Sequence, residues 1–243
     1  MNGARRMPWV GALALLVALA LLRSASAAGA PAGSEPLTDE RTYAHWAHAQ
    51  HSAAVRQLPS HDSPRVARLH HRTEDGFPEV YSVLRRLTER DGRSWLQITV
   101  PRRPNGRTGW IPDSALGPLY RVRTRLVVDR RRLRATLYRA GKAIWRSPIG
   151  IGKKGTSTPN GDFWIREKFR VANPRGPYGP RAFGTSAYSR LSDWPGGGVI
   201  GIHGTNEPSL IPGRPSHGCI RIVNHAIKRL YRLMPVGTPM HVR

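Results

Sequence analysis

The sequence predicts a mainly β protein, in which mixed β-sheets with a short helix near the carboxyl end follow a small β-barrel. Short runs enriched in β-branched and aromatic residues recur along the chain, such as SWLQITV at 94–100 and RLVVD at 125–129. Turn signals separate these runs, among them Arg90-Asp91-Gly92 and Pro104-Asn105-Gly106. Short strands punctuated in this way are typical of sheets and small barrels.

Residues 1–27 have the pattern of an export signal. Arg5 and Arg6 form a basic front, an apolar run follows from Trp9 to Leu22, and Ala25-Ser26-Ala27 matches a small-residue cleavage site. The apolar run is short for a permanent transmembrane helix. We therefore expect export to the cell wall or a periplasm-like space, with anchoring in the membrane if the signal is not cleaved.

Residues 28–59 are predicted to be a linker followed by a short helix, because the less polar positions between Asp39 and Leu58 are compatible with one helix. This helix would carry His45, His48 and His51 roughly on one side. A polar helical face explains these histidines better than a metal site, since neither Cys nor a carboxylate accompanies them at ligand spacing. We therefore predict no metal site here.

Residues 60–118 predict a small β-barrel domain with three to five strands. The runs VYSVLRRL at 80–87 and RTGWIP at 107–112 are rich in β-branched and aromatic residues. The ending GWIP is similar to bacterial SH3-like domains, which often accompany wall enzymes. Such a domain either binds the wall or serves only as a packing module, and the sequence leaves both open.

Residues 119–243 are again rich in predicted strands, and 224–233 is compatible with a short helix. A Gly- and Pro-rich segment lies between Phe169 and Gly198, and a connection of that length within a domain is usually functional or disordered. We predict that this segment covers a pocket with its aromatic side chains, which are Tyr178, Phe183, Tyr188 and Trp194.

The single cysteine, Cys219, is the strongest candidate for chemistry. An unpaired cysteine is more often a small buried apolar residue, but a thiol becomes a strong nucleophile when a base removes its proton. Gly218 precedes it, so the backbone can approach a substrate closely, and an N–H group there can face a developing oxyanion. A thiol kept in an oxidising compartment is at risk of oxidation, so its presence indicates use.

Alternation along a strand brings further groups to the same side as the thiol. If 216–223 is extended, then His217, Cys219 and Arg221 share one face. The apolar run 199–203 likewise ends in a histidine, His203. These runs therefore favour one pocket that holds a thiol, an imidazole and a guanidinium.

The pair IHGT at 202–205 and SHGCIR at 216–221 resembles the signature of the L,D-transpeptidase catalytic domain, the YkuD-like cysteine enzymes of bacterial cell walls. The runs TPNGDFWI at 158–165 and PVGTPMHV at 235–242 resemble further parts of that family. The resemblance extends over about 119–243 and implies the β-rich fold of this family for that part of the chain.

The resemblance implies acyl transfer on a peptidoglycan stem peptide. Cys219, as thiolate, would attack the carbonyl of the third stem residue at its L-centre, release D-Ala, and pass the acyl group to a neighbouring amine to form a 3→3 cross-link. His203 matches the general base and acid. Many relatives have Ser where this chain has Gly204, so the main-chain carbonyl of Gly204 is left to orient the imidazole. No step needs a metal or an organic cofactor.

The resemblance also implies roles for neighbouring residues. The N–H groups of Cys219, Gly218 and His217 would form the oxyanion hole, and His217 would place a second imidazole near the thiol. Arg221 would either clamp a substrate carboxylate or act as a structural ion-pair partner. Ser216 would position groups by hydrogen bonding. The predicted substrate-binding side chains are Arg221, Ser216, Tyr188 and Trp194.

The formal net charge is +24, from 39 Lys and Arg against 15 Asp and Glu. Nucleic-acid binding is disfavoured, because the chain has an export signal and its cations do not form a readout motif. We expect peptidoglycan stem peptides and anionic wall polymers as partners. The alternative, in which the surface Arg residues only solvate the protein, stays open. We also expect a monomer.

Other functional classes compete with this interpretation. A papain-like wall endopeptidase also uses Cys and His, but there the Cys precedes the His and usually opens a helix. A non-enzymatic wall-binding protein would use the SH3-like unit and carry an inert Cys domain. A hydrolytic L,D-carboxypeptidase would use the same site with water as the acceptor.

Overall fold

The computed structural model describes residues 31–39, 41–191 and 195–243. The predicted export signal at 1–27 lies outside the described residues, as does Trp194. Residues 33–243 form one contact unit, in which an amino-terminal sheet packs against two further sheets and a helix. None of the helices in these three ranges is long and apolar enough to cross a bilayer.

The amino-terminal sheet has the strand order β4-β3-β7-β6-β5-β2-β8, with β1 paired to β5. Its interior is apolar, and Val55, Tyr81 and Ile98 are almost fully buried there. The strands are β1 (Glu35–Pro36), β2 (Ala44–Ala47), β3 (Ala54–Arg56), β4 (Arg65–Arg68), β5 (Tyr81–Thr88), β6 (Ser94–Thr99), β7 (Thr108–Pro112) and β8 (Tyr120–Val122).

The helix predicted between Asp39 and Leu58 is wrong, because this segment forms β2 and β3. The β2 backbone pairs with β5 on one side, where His45 is opposite Val83, and with β8 on the other. Long-range pairing and the burial of Trp46 and Ala47 override the weak helical pattern. The amino-terminal sheet therefore begins at Glu35, not at residue 60, and extends to Val122.

The predicted closed barrel does not appear in the strand pairing. The strand path has β4 at one edge and β8 at the other, and the described residues contain no pairing between these two edges. The turn Pro104-Asn105-Gly106 does connect β6 to β7 as a hairpin, as the turn signal indicates. The likeness of this unit to SH3-like domains remains a prediction.

The second half of the chain contains a five-stranded sheet in the order β11-β10-β9-β19-β13 and a six-stranded sheet in the order β14-β15-β16-β18-β12-β17. The strands are β9 (Thr124–Asp129), β10 (Arg134–Arg139), β11 (Lys142–Pro148), β12 (Gly150–Gly152), β13 (Gly161–Trp164), β14 (Phe169–Arg170), β15 (Arg181–Tyr188), β16 (Val199–His203), β17 (Gly213–Ser216), β18 (Ile220–Arg221) and β19 (Pro239–Val242).

The helix predicted at 224–233 is confirmed as α1 (Asn224–Leu233). It buries Ala226, Ile227 and Leu230, which lie on one side at helical spacing. These side chains join a single core with residues of both sheets, such as Leu137 and Ile202. The helix therefore fixes the six-stranded sheet immediately after the cysteine strand.

The amino-terminal sheet and the second half of the chain meet through an apolar contact, and a buried ion pair lies beside it. Trp46 and Val80 from the first unit pack with Trp164 from the second, and the Trp164 indole N–H donates to the carbonyl of Val80 at 2.7 Å. Arg166 donates to both carboxylate oxygens of Glu79, and the two side chains are 2 % and 3 % exposed. These contacts fix the orientation of the amino-terminal sheet relative to the second half of the chain.

Candidate active site

Cys219 lies on a tight turn between β17 and β18. Ser216 Oγ accepts the Gly218 N–H at 3.1 Å and donates to the Cys219 carbonyl at 2.6 Å, which closes the turn. Gly218 has a φ of +133°, a conformation that residues with a side chain rarely adopt. The extended segment predicted over 216–223 is therefore interrupted: Ser216 ends β17, the turn follows, and Ile220–Arg221 is the next strand.

Thr158 supports this turn from beneath. Its hydroxyl donates to the Gly218 carbonyl at 2.6 Å and accepts the Gly152 N–H at 3.1 Å, and its residue is 1 % exposed. Thr158 is not among the predicted site residues, although this threonine is the first residue of TPNGDFWI. That threonine links β12 to the turn that presents the cysteine.

His203 ends β16, which runs parallel to β18 with His203 opposite Arg221. Gly201 lies between the imidazole and the thiol: a Cβ placed on it would be 3.8 Å from Cys219 Sγ and 3.8 Å from His203 Cδ2. The Gly201 N–H also points to Cys219 Sγ at 3.4 Å. The thiol and the imidazole therefore flank the same point on β16.

Both groups line one cavity of about 90 Å³. Tyr178 stands beside it, half exposed, with its ring edge-on to the His203 ring at a centroid distance of 4.8 Å. The other lining side chains include Ser189, Ser216, His217 and Arg221. The predicted meeting of the thiol, an imidazole and a guanidinium in one pocket is observed.

The orientation of the imidazole is fixed by the main chain. His203 Nδ1 donates to the carbonyl oxygen of Gly204 at 2.6 Å, which leaves Nε2 as the basic nitrogen. A Cβ on Gly204 would lie 2.4 Å from Asn224 Oδ1 and 3.0 Å from the α-carbon of Gly179. The packing around Gly204 thus leaves no room for a side chain, and its carbonyl is the orienting group.

Comparison with known proteins agrees with this geometry. Residues 123–242 match the L,D-transpeptidase catalytic domain family, YkuD. A protein of Bacillus licheniformis named L,D-transpeptidase YkuD is 36 % identical over 106 residues, which are 44 % of this chain and 57 % of the relative. Together they support membership of residues 123–242 in this family, whose members are cysteine-dependent acyltransferases.

Two further matches cover similar parts of the chain. A Salmonella typhimurium protein named L,D-transpeptidase ErfK/SrfK is 31 % identical over 162 residues, 57 % of this chain and 50 % of that protein. The catalytic domain of an Enterococcus faecium L,D-transpeptidase is 27 % identical to this chain. That match covers 49 % of this chain and 96 % of that domain, with a TM-score of 0.37. The chain spans about half the length of the curated relatives it matches.

Burial favours the neutral forms of both the thiol and the imidazole in this site. Burial lowers the pKa of His203 to about 4, an effect that the hydrogen bond to Gly204 opposes and the charge of Arg221 reinforces. Burial raises the pKa of the Cys219 thiol, although the Gly201 N–H and Arg221 partly offset it. Because both shifts favour the uncharged forms, the resting pair is not a thiolate–imidazolium ion pair.

Arg221 makes an ion pair on the rim of the cavity. Its guanidinium donates to Glu207 at 2.8 Å, and the Glu207 side chain is 51 % exposed. Its Nε atom is buried and has no hydrogen-bond partner among the described residues. Of the two predicted roles, the structure therefore shows the ion pair, and the clamp on a substrate carboxylate stays a prediction.

Two of the predicted roles do not agree with the geometry. The Gly218 N–H is already donated to Ser216 Oγ, so it is not available to an oxyanion in this conformation. Tyr188 does not line the cavity: its residue is 6 % exposed, and its hydroxyl contacts Glu74, Arg166 and the carbonyl of Pro101.

Within the segment predicted as a lid, 169–170 and 181–188 are strands of the six-stranded sheet. Phe183 and Tyr188 belong to the buried strand β15, where Phe183 is 1 % exposed. The Phe183 ring lies in the hydrophobic core and the Tyr188 hydroxyl contacts Arg166 and Glu74, so neither ring covers the cavity. Among the described aromatic residues of this segment, only Tyr178 borders the cavity.

A loop of the amino-terminal unit holds one wall of the cavity. The Asn105 side chain donates to the Tyr188 carbonyl at 2.8 Å and accepts the Tyr188 N–H at 3.0 Å, as a neighbouring strand would. Arg103 donates to the carbonyls of Ser189 at 3.1 Å and Leu191 at 2.9 Å. Nothing in the sequence signalled this role, because the partners are far apart in the chain.

Removing the Asn105 amide tests this wall. We expect Asn105→Ala to lower the free energy of unfolding by about 1–3 kcal/mol, because two backbone groups of Tyr188 lose their partner. Iodoacetamide labelling of Cys219 should become several-fold faster, since Ser189 lies in the wall beside the turn at Gly218. Asn173→Ala, which alters only a local surface turn, is the matched control. Equal labelling rates for both variants would contradict the role of the loop.

Proposed function

We propose that this protein is an exported L,D-transpeptidase that cross-links peptidoglycan stem peptides. The observation that supports this most strongly is the thiol–imidazole pair on β16 and the β17–β18 turn, with His203 Nδ1 tied to Gly204 and both side chains open to one cavity. The family match over 123–242 supports the same chemistry. Export rests on the signal pattern at 1–27, and the amino-terminal unit is proposed as an SH3-like wall module.

In the first half-reaction, His203 Nε2 takes the proton of the Cys219 thiol as the sulfur attacks the L-centre carbonyl of the third stem residue. The carbonyl π electrons move to oxygen and return as the C–N bond to D-Ala breaks. The imidazolium then protonates the leaving amine. Free D-Ala and a thioester on Cys219 are the products.

In the second half-reaction, the amine of another stem peptide attacks the thioester. Neutral His203 removes a proton from the attacking nitrogen, and the C–S bond breaks as the amide forms. The sulfur recovers a proton from the imidazolium, so the enzyme returns to its neutral pair. The net reaction exchanges one amide for another and needs no oxidant or metal.

The developing oxyanion needs hydrogen-bond donors. Because Ser216 uses the Gly218 N–H, we assign the role of oxyanion donor to the Cys219 N–H. Loss of one such donor typically costs about 3 kcal/mol of transition-state stabilisation. The Arg221 guanidinium, which lines the cavity, would donate a hydrogen bond to a carboxylate oxygen of the donor stem.

Muropeptide analysis tests this function. Purified wall material with tetrapeptide stems is incubated with the protein, digested with a muramidase and weighed by mass spectrometry. A dimer linked between two third residues, formed with loss of D-Ala, is the expected product. Tripeptide monomers alone would indicate a hydrolytic carboxypeptidase, and unchanged muropeptides would refute the transferase.

The pH dependence tests the neutral pair. A general base with a pKa of about 4 stays deprotonated at pH 5, so the rate of Cys219 acylation by a carbapenem should be nearly constant between pH 5 and 8 and fall only toward pH 4. Intact-protein mass spectrometry follows the adduct. An ordinary histidine base would lose its activity below about pH 6.5. A rate that falls about fivefold between pH 6.5 and 5.5, as an ordinary histidine predicts, would contradict the assignment.

A further inference from the structure

A second cavity, here called the basic pocket, lies apart from the cysteine cavity and shares no lining residue with it. It has a volume of about 540 Å³ and forms where the β8–β9 connection meets the end of α1. Its cations come from four separate segments of the chain and are Arg121, Arg123, Arg139, Lys168 and Arg232. Among the residues that the structure describes, no Asp or Glu lines it.

The cations of the basic pocket have no carboxylate partner among the described residues. Arg121 lies over the ring of Tyr43 at 4.3 Å, and Lys168 Nζ lies over the ring of Tyr231 at 4.5 Å. Burial lowers the pKa of Lys168. Like charges gathered without counter-charges repel one another, so an anion bound here lowers the free energy of the folded protein.

A rigidly held aromatic ring borders these cations. Tyr120 is 47 % exposed, which is high for a large ring, and it stacks on Trp46 with a centroid distance of 4.6 Å and an interplanar angle of 26°. Trp46 itself is 9 % exposed and packed into the contact between the two units. The stack thus fixes one exposed ring beside the guanidinium groups, where it can contact the sugar or polyol part of a ligand.

We propose that the basic pocket binds phosphodiester groups of an anionic wall polymer. Guanidinium forks match phosphate oxygens in a bidentate fashion, and several cations from different segments suit a chain of phosphates better than a single carboxylate. The choice of a wall polymer rests on the proposed function, which places the enzyme at peptidoglycan. A single-stranded nucleic acid fits less well, because its binders present successive rings, whereas Tyr120 is the one exposed ring in this pocket.

Binding of a soluble poly(glycerol phosphate) chain to the full protein tests the proposal. Arg123→Gln combined with Arg232→Gln should weaken binding about tenfold or more and reduce the slope of log Kd against log salt by about 1 to 2. The matched control is Arg65→Gln combined with Arg68→Gln, which removes the same charge from the exposed strand β4. If both double variants lose affinity equally, binding is a property of net charge and the proposal is overturned.

Two additional arms separate the possible ligands. Tyr120→Ala should weaken poly(glycerol phosphate) several-fold while leaving inorganic phosphate binding unchanged, because only the polymer offers a polyol to the ring. A single-stranded oligonucleotide of equal phosphate count that binds tighter than the polymer would overturn the choice of partner. Carbapenem acylation of Cys219 should stay unchanged in all these variants, so failure of the pocket is distinguishable from failure of the transpeptidase.

Discussion

Cys219→Ala is expected to abolish both the carbapenem adduct and the 3→3 cross-link while leaving the fold unchanged. The thiol is the only sulfur nucleophile of the chain, and it lies in the cavity beside His203. Covalent catalysis through a thioester has no substitute when the sulfur is removed, so the rate should fall by at least about 10³-fold. Intact-protein mass spectrometry and muropeptide analysis measure the two products.

The matched control is Ser157→Ala, which removes an exposed hydroxyl from the neighbouring loop. This variant should keep the full rate. The free energy of unfolding should differ little between the two variants, because both lose a single small polarisable or polar atom. An adduct of equal yield on Ser216 in Cys219→Ala would show that a hydroxyl in the same cavity is the nucleophile.

Glu79→Gln is expected to be the most destabilising change outside the active site. Burial alone would lower the pKa of Arg166, but its bonds to Glu79 outweigh that effect and raise it, so the guanidinium stays charged in an interior position. Removing one partner of a buried ion pair typically costs about 3–5 kcal/mol, and the half-buried Glu74, 3.0 Å from Arg166, compensates only in part because it is more exposed than Glu79. Urea denaturation should therefore show a loss of about that size.

Two controls make this result specific. Glu89→Gln breaks a surface contact with Arg93, whose side chain is 64 % exposed, and should cost about 1 kcal/mol or less. The double variant Glu79→Leu with Arg166→Met should recover part of the loss, since apolar side chains do not leave an unpaired charge. A loss equal to that of Glu89→Gln would mean that water reaches this contact between the two units.

Much of the second half of the fold was predictable, because local patterns and long-range contacts agree there. The apolar run 199–203 forms β16, and 224–233 forms α1. In each segment the spacing of apolar residues that predicts the element also places those side chains on its buried side. By contrast, 39–58 contains strands instead of a helix, because β2 pairs with β5 on one side and with β8 on the other. No local sequence pattern contains that information.

The candidate site divides in the same way. The sequence indicated Cys219 and His203, because a lone thiol and a histidine at the end of an apolar run are local chemical signals. It placed the Gly218 N–H in the oxyanion hole and Tyr188 at the substrate, whereas the former binds Ser216 and the latter lies in the cluster around Arg166. The first difference arises from a hydrogen bond within the Cys219 turn, between residues two positions apart, and the second from hydrogen bonds of Tyr188 to Glu74 and Pro101, which are remote in the chain.

The sequence by itself indicated the candidate reacting groups, the strand-rich character of 119–243 and the helix that follows the cysteine. Only the tertiary structure decided the burial that shifts the pKa values of His203 and Cys219, and the loop at Asn105 that holds the cavity wall. The physical reason is that residue type sets which chemistry is available, while burial and hydrogen bonds from remote segments set its protonation and geometry.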